Sequence, residues 1–313
     1  MRKMLPLAVV LALFASDRLA PRVRLLCKGF LPPNNLSIPV GSLRAAGLSK
    51  AQFDAVLDRA LSIYGPIIAA RGGRLDIERD WQDPTVNASA ERIGSIWRLN
   101  MYGGLARHPA VTPDGFSLVV CHELGHHLGG YPKLDGDWAT NEGGADYFAT
   151  LKCLRRLLPA TTPETVDPTA LRACSGVFRG EARRTLCLRE AMAGLSLGAL
   201  LAQIGGSPLP KLDTPDPGRV SQTNDDHPAA QCRLDTYFQG GLCVKPVGEE
   251  VSDDDPNPGA CTRSQGFSVG LRPLCWYKPP ASQREIPEVA RLSVDPQVVL
   301  KRLEALRASL RWD

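Results

Sequence analysis

The sequence lacks the features that mark membrane-spanning and nucleic-acid-binding chains. Its 313 residues carry a net charge of only +4, and no run of basic residues is interleaved with aromatic ones. Nucleic acid is therefore not an expected partner. Beyond residue 15, no segment is long and apolar enough to predict a transmembrane helix. No internal repeat is evident either.

The spacing of the cysteines excludes one kind of metal site. None of the 9 cysteines belongs to a Cys-x-x-Cys pair, so a thiolate zinc site or a thioredoxin-like redox motif is not expected. Cys121 lies in an apolar run and is expected to pack in the core with a free thiol. The others are expected to form disulfides, with Cys174–Cys187 and Cys261–Cys275 as local pairs. The remaining members of that set are Cys27, Cys153, Cys232 and Cys243.

The N-terminus indicates export. Basic residues in Met1-Arg2-Lys3-Met4 precede an apolar run from Leu5 to Ala15, which suits a signal peptide and is too short to cross a bilayer. Small residues between about Ala15 and Ala20 offer the cleavage site, and residues 1–20 are interpreted as the signal peptide. We therefore expect a soluble protein in the periplasm or outside the cell.

Histidine is rare, yet three of the 5 histidines lie in His122-Glu123-Leu124-Gly125-His126-His127. On a helix, His122 and His126 leave the same face about 5–6 Å apart at Cβ. That separation lets two imidazoles bind one zinc ion. Glu123 lies one residue further round, where it can serve as a general base without being a ligand. This is the His-Glu-x-x-His pattern of metallopeptidases; the alternative is a surface helix with two stray histidines.

A third ligand is predicted sixteen residues after His126, at Glu142. Thr140 can cap a second helix there, and the gap lets this helix lie alongside the first. Two His and one Glu form the ligand set of a catalytic zinc ion, one ion per chain, with a position left for water. Asp146, one turn later, could accept the free ring N–H of His122. The alternatives are an acid serving the helix dipole at Glu142 and a solvated acid at Asp146.

The remaining pattern predicts an α+β fold, mainly helical, with a small sheet beside the metal-binding helix. That sheet would contain strands near residues 75–81 and 92–102; the second is either the edge to which an extended substrate adds or an internal strand. Gly143 and Gly144, costly in a helix, suggest close approach of the two metal-binding helices. Helices are predicted from Ser49 to near Pro66, from Pro113, over 168–178 and 181–204, after His227, and from Asp295.

Four segments follow from composition. Residues 1–20 form the signal peptide, and 21–48 an irregular arm with little periodicity. Residues 49–240 hold all the motif residues and form the metallopeptidase domain. Residues 241–313 combine a disulfide-tied, loop-rich region with the final helix.

The motifs together resemble the gluzincin metallopeptidases. His122-Glu123-x-x-His126 with Glu142-x-x-Ala145-Asp146 is similar to the family of CAAX prenyl endopeptidases, HtpX-like proteases and their periplasmic relatives. That family also carries His-Pro followed by Arg six residues after the His, the spacing of His227, Pro228 and Arg233. The resemblance covers about residues 49–240 and implies a zincin-like fold. Without transmembrane helices, this chain would be a soluble, exported relative.

These residues lead to a hypothesis of an exported zinc endopeptidase that acts on protein or peptide. Zinc held by His122, His126 and Glu142 would activate water, and Glu123 would move the proton from the water to the leaving amine. A non-catalytic, zinc-stabilised envelope module that binds or chaperones is the alternative. Hydrolysis of a non-peptide bond is a third reading. The sequence leaves the oligomeric state open.

His227 and Arg233 are candidate catalytic residues on account of the resemblance. His227 follows a long loop and could be carried to the metal. There it could fill the fourth zinc position and hold the enzyme latent. It could instead stand beside that position, with Arg233 near by, and donate hydrogen bonds to the oxyanion of the transition state. The third reading is a helix-start His-Pro with a solvated arginine.

Overall fold

A computed structural model describes residues 29–134 and 138–281, together with the backbone of a short strand at 24–26. The predicted signal peptide, Cys27 and the predicted helix from Asp295 lie outside these residues. The described chain has an α+β fold, as predicted. A four-stranded sheet packs on one side of a helical bundle.

The sheet has the order β1-β3-β4-β2. Strand β3 pairs antiparallel with β1 on one side and with β4 on the other, while β2 pairs parallel with β4. The strands are β1 (Arg24–Leu26), β2 (Arg74–Asp80), β3 (Ala88–Ile93) and β4 (Ile96–Tyr102). Strand β1 lies within the arm predicted to be irregular, where three residues are too few to give a periodic signal.

The helices surround one long buried helix, α3, which packs against α1, α4, α7 and the sheet. The helices are α1 (Lys50–Ala69), α2 (Gly103–Ala106), α3 (Pro113–Leu128), α4 (Glu142–Phe148), α5 (Leu154–Leu157), α6 (Pro168–Val177), α7 (Glu181–Gly205) and α8 (Ala230–Leu242). A π-helical turn, Ala149–Cys153, joins α4 to α5. A short 3₁₀ turn, Arg263–Gln265, lies in the loop-rich C-terminal region.

Two predicted boundaries were wrong. Helix α1 continues through Pro66 to Ala69. The carbonyl that loses its partner there belongs to the exposed Ser62, where water can hydrate it, and buried Ile68 holds the last turn in the core. The predicted strand 92–102 is the end of β3 followed by β4. Gly94, at φ 61°, forms the tight turn between them.

Four disulfides tie the described chain together, and they correct two predictions. Cys174–Cys187 is formed as expected. Cys121 is paired with Cys153, so its thiol is not free; the π-helical turn brings Cys153 onto α3. Cys261 pairs with Cys243 and not with Cys275. Cys275 pairs instead with Cys232 of α8 and so links the loop-rich region to the helical bundle.

One helix of the described chain, α7, is long and apolar enough to cross a membrane by length and composition alone. The sequence had predicted none. About two thirds of its apolar stretch, 67%, is buried inside the protein, against α3, α6 and α8. This burial is what the core helix of a bundle requires.

Candidate metal centre

Helices α3 and α4 bring the three predicted ligands together. His122 and His126 lie one turn apart on α3, and Glu142 is the first residue of α4. Asn141 caps α4, because its side-chain oxygen accepts a hydrogen bond from the Gly144 amide. The predicted cap, Thr140, lies one residue earlier. One ligand atom from each of the three side chains lies within 4.8 Å of the other two. The three residues form a group that could hold a metal ion.

The polar atoms that converge here make no hydrogen bond to the described protein. They are Nε2 of His122, Nε2 of His126 and Oε2 of Glu142. Buried polar atoms in native proteins are almost always paired, because an unpaired one costs about 1–3 kcal/mol. Both imidazoles turn Nε2 toward the carboxylate of Glu142. Nε2 of His122 lies 3.2 Å from Oε2, and Nε2 of His126 lies 3.9 Å from Oε1. A cation bound between them would satisfy all three, so the residues fit a metal.

The other ring nitrogens of the two histidines are held in place. Nδ1 of His126 lies 2.8 Å from the carbonyl oxygen of Thr140, which can only accept. Nδ1 of His122 lies 2.7 Å from Oδ1 of Asp146. Each Nδ1 therefore carries a hydrogen, and when the imidazole is neutral its Nε2 turns a lone pair toward the carboxylate of Glu142. This is the arrangement that metal-binding histidines require.

Arg233 corrects one expectation from the sequence. One reading of the sequence placed it near the fourth metal position and another left it solvated. It is instead fully buried, and its guanidinium donates two hydrogen bonds of 2.8 Å to the carboxylate of Asp146. Both side chains are fully buried. A carboxylate cannot be buried at such a site without a counter-charge, and Arg233 supplies it in bidentate geometry. Arg233 acts on His122 through Asp146 and is a positioning residue.

Burial and neighbouring charges separate the proton affinities of the two histidines. Burial alone lowers the pKa of an imidazole, and it lowers that of His126 to about 4. At His122, Asp146 and Glu142 outweigh burial and raise the pKa to about 9. The histidines in turn overcome the effect of burial on Glu142 and lower its pKa to about 2. The metal-free site thus keeps negative charge on Glu142, which favours a cation.

Glu123 lies beside the ligands but is not one of them. It is fully buried, and neither carboxylate oxygen has a hydrogen-bond partner among the described residues. Burial, with the negative charge of Glu142, raises its pKa to about 8, although His122 acts in the opposite direction. A carboxyl group with this proton affinity can accept and return a proton near neutral pH.

His227 reaches the centre from the loop before α8. Its Nε2 lies 3.4 Å from Oε2 of Glu142 and donates a hydrogen bond of 2.7 Å to the carbonyl oxygen of Gly29. His227 is not a member of the three-residue group that could hold a metal. In this geometry its Nε2 carries a hydrogen and serves as a donor, so it does not fill the fourth metal position.

No sequence pattern indicates that Gly29 and Phe30 belong to the site. The Phe30 ring meets the His122 ring edge-on, with 5.2 Å between the ring centroids. The guanidinium carbon of Arg233 lies over the same Phe30 ring, 4.5 Å from its centroid. Arg233 also donates to the Phe30 carbonyl oxygen at 2.7 Å. These residues belong to the arm predicted to be irregular, and no motif marks them. Only the pairing of the arm with β3 places them here.

His127, the third histidine of the motif helix, has a different environment. Its ring stacks between Trp97 and Trp138, at 5.4 Å and 4.6 Å between centroids. Burial, reinforced by the charge of Arg92, lowers its pKa well below the usual value. His127 packs the helix against the sheet and takes no part in the metal group.

Comparison of the chain with models of protein families, with curated proteins and with solved structures finds no match. The assignment of a function therefore depends on the site alone.

Proposed function

We propose that this protein is an exported zinc-dependent endopeptidase with a zincin-like catalytic domain. One observation carries the proposal: three buried ligand atoms without hydrogen-bond partners converge beside a further buried carboxyl group, Glu123, that also has no partner among the described residues. A site that only stabilised the fold would need the three ligands but not an unpaired acid, which costs free energy to bury. The four disulfides fit an oxidising compartment outside the cytoplasm.

The donor set favours zinc. Two neutral imidazoles and one carboxylate are a known catalytic ligand set for this ion, which leaves one position open for water. Zinc bound here would supply a Lewis acid that activates water and polarises a carbonyl group. His122, His126 and Glu142 would hold it, while Asp146 and Thr140 keep the two imidazoles in the tautomer that exposes Nε2.

The other residues divide the work of peptide hydrolysis. Glu123 would accept the proton of the attacking water and return it to the leaving amine. His227, whose Nε2 already donates to a carbonyl oxygen at 2.7 Å, would donate to the oxygen of the scissile bond as negative charge develops on it. Arg233 would hold Asp146 ionised, because it keeps the pKa of that carboxyl well below its usual value against the effect of burial.

The proposal can be tested on purified protein loaded with zinc and incubated with a peptide library, with and without a chelator. We expect one zinc per chain and cleavage that the chelator abolishes. Glu123→Gln should keep the zinc and lose at least about 10²-fold in turnover, since only the proton transfer is removed. Cleavage by Glu123→Gln at the wild-type rate would refute the mechanism.

A second variant tests the ligands. His126→Ala should lose the zinc, because it removes one of three binding atoms. His127→Gln, at the next position of the same helix, is the matched control and should retain zinc. Full occupancy in His126→Ala would refute the site assignment.

One observation favours the non-catalytic alternative. His122, Glu123 and His126 are all 0% exposed, whereas a peptidase must admit a peptide. A zinc-stabilised binding module predicts full zinc occupancy, a loss of stability on chelation, and no cleavage of any peptide.

A further inference from the structure

The candidate centre is closed in the described conformation. His122, Glu123 and His126 are 0% exposed and Glu142 is 2% exposed. An endopeptidase has to bring an extended chain to within contact of these side chains, so the group that covers them decides whether the site can work.

One piece of the chain itself, the segment Gly29–Leu31, packs against this group and is buried with it. Its first carbonyl oxygen accepts the hydrogen bond from His227, and its second from Arg233. The Phe30 ring lies against His122, and both Phe30 and Leu31 are 0% exposed. No other described segment makes these contacts with His122, His227 and Arg233 together.

The segment is held by its backbone along the side of β3 that pairs with β1. The amide of Phe30 donates to the carbonyl oxygen of Ala88 at 2.9 Å. The side chain of Asn87 then binds both backbone groups of Leu31. Its Oδ1 accepts a hydrogen bond from the Leu31 amide at 2.9 Å, and its Nδ2 donates one to the Leu31 carbonyl oxygen at 3.1 Å. Upstream, β1 continues along the same strand in antiparallel pairing. Strand addition of this kind recognises any extended peptide by its main chain.

Gly29 has a geometry that an ordinary peptide cannot copy. Its φ of 94° is one that L-residues rarely adopt, and a Cβ there would lie 3.0 Å from the Ala88 carbonyl oxygen. A bound peptide with a side chain at this position would need another backbone conformation. The segment therefore resembles a peptide in its place and its hydrogen bonds but not in its local shape.

We propose that the side of β3 that pairs with β1 is the peptide-binding surface of this protein. Gly29–Leu31 occupies it as an internal blocker, with the Gly29 carbonyl at His227 in the place of a substrate carbonyl. The described conformation is then the latent form, and displacement of the segment opens the centre. The role of the segment as a blocker of peptide binding rests on the proposed function, whereas its contacts with His122, His227 and Arg233 do not.

Two variants loosen the segment without touching the metal group. Gly29→Ala strains the backbone and crowds Ala88, and Asn87→Ala removes both bonds to Leu31. Each has a matched control in the same arm. For Gly29→Ala the control is Gly41→Ala, since Gly41 also has a positive φ, 78°, but a Cβ added there would have no neighbour within 4 Å. Asn34→Ala removes a similarly half-buried amide that bonds to Pro32, Val86 and Leu36 instead.

Three quantities are measured on the full chain loaded with zinc: hydrogen exchange at the Phe30 and Leu31 amides, the rate of zinc transfer to EDTA, and cleavage of a peptide library. Gly29→Ala and Asn87→Ala should raise each of them about tenfold, the effect of losing one or two buried hydrogen bonds. Gly41→Ala and Asn34→Ala should stay within about twofold of wild type.

The outcomes separate this inference from the proposed function. Faster exchange and zinc transfer without cleavage by any of the five proteins would confirm the cover and refute the peptidase. Cleavage by wild type that neither variant accelerates would refute the blocker and leave the peptidase standing. Unchanged exchange in both variants would show that Gly29 and Asn87 do not hold the segment, and the inference would fail.

Discussion

At the scale of single residues, the centre concentrates buried charge whose protonation should control stability. In the metal-free protein, burial raises the pKa of Glu123 from 4.5 to about 8. The folded state thus binds this proton more tightly than the unfolded state does. The resulting contribution to the free energy of unfolding is fully present below about pH 4.5 and is lost as the pH rises to about 8.

Replacement of the carboxyl group isolates this contribution. The pKa of His122 is raised from 6.5 to about 9. The free energy of unfolding therefore also falls as the pH rises from about 6.5 to about 9. Between pH 5 and 9, urea unfolding of metal-free wild type should therefore show a decline larger than that of Glu123→Gln by on the order of a few kcal/mol. Zinc favours the ionised carboxyl, so the difference should shrink in the loaded protein. Parallel stability curves for the two metal-free proteins would contradict the buried, protonated state of Glu123.

The pair formed by Asp146 and Arg233 gives a second prediction at this scale. Arg233→Met should cost about 3–5 kcal/mol in the free energy of unfolding, because it leaves a buried carboxylate without its counter-charge. The control is Arg79→Met, which breaks the ion pair with Asp58 at the surface, where the side chains are 28% and 68% exposed. That change should cost about 1 kcal/mol or less. Equal losses in the two variants would show that Asp146 does not depend on Arg233.

At the scale of the elements, the metal-binding helices show how much the sequence could predict. The His122–His126 spacing and Glu142 at the start of the next helix are local patterns, and the structure brings these residues together where expected. The position of Arg233 could not be predicted in the same way. Its partner is 87 residues away, and spacing to His227 carries no information about Asp146.

The glycines of α4 illustrate the same limit. They were expected to allow close approach of α3 and α4, but that contact is made by Gly125, whose Cβ would lie 2.8 Å from the Ala145 carbonyl oxygen. A Cβ at Gly143 would overlap the ring of Trp276, and one at Gly144 would crowd Thr140. Trp276 comes from the loop-rich region, which is held to α8 by a disulfide that the sequence could not assign. The need for glycine at position 143, despite its low helix propensity, therefore comes from packing against the distant Trp276 and not from the contact between α3 and α4.

Alanine substitution measures that packing directly. Gly143→Ala should destabilise the protein by at least about 3 kcal/mol, because the buried Trp276 ring has no room to move. Gly176→Ala is the control, since Gly176 also lies in a helix but has no neighbour within 4 Å. It should stabilise the protein by up to about 1 kcal/mol through helix propensity alone. Thermal unfolding of both variants is the measurement, and a gain in stability for Gly143→Ala would contradict the close contact with Trp276.

At the scale of the whole molecule, two of the four disulfides connect the elements that build the centre. Cys121–Cys153 joins the motif helix to the segment after α4, and Cys232–Cys275 joins α8, which carries Arg233, to the loop-rich region with Trp276. The sequence predicted an oxidised, exported chain from the number of cysteines. It could not predict these pairs, because each joins segments that are distant in the sequence and because nothing marks Cys121 as different from a core residue.

The pairing leads to the last prediction. Peptide mapping of the unreduced protein should find Cys121 linked to Cys153 and a single titratable thiol per chain, which by count is Cys27, since the eight other cysteines are used in four pairs. Reduction should release the constraint between α3 and the turn after α4 and weaken zinc binding, because both ligand helices are then free to separate. Cys174→Ser/Cys187→Ser is the control, since that pair lies between α6 and α7 and its loss should leave zinc affinity within about twofold of wild type. A free Cys121, or zinc affinity that reduction leaves unchanged, would show that the disulfide does not support the metal centre.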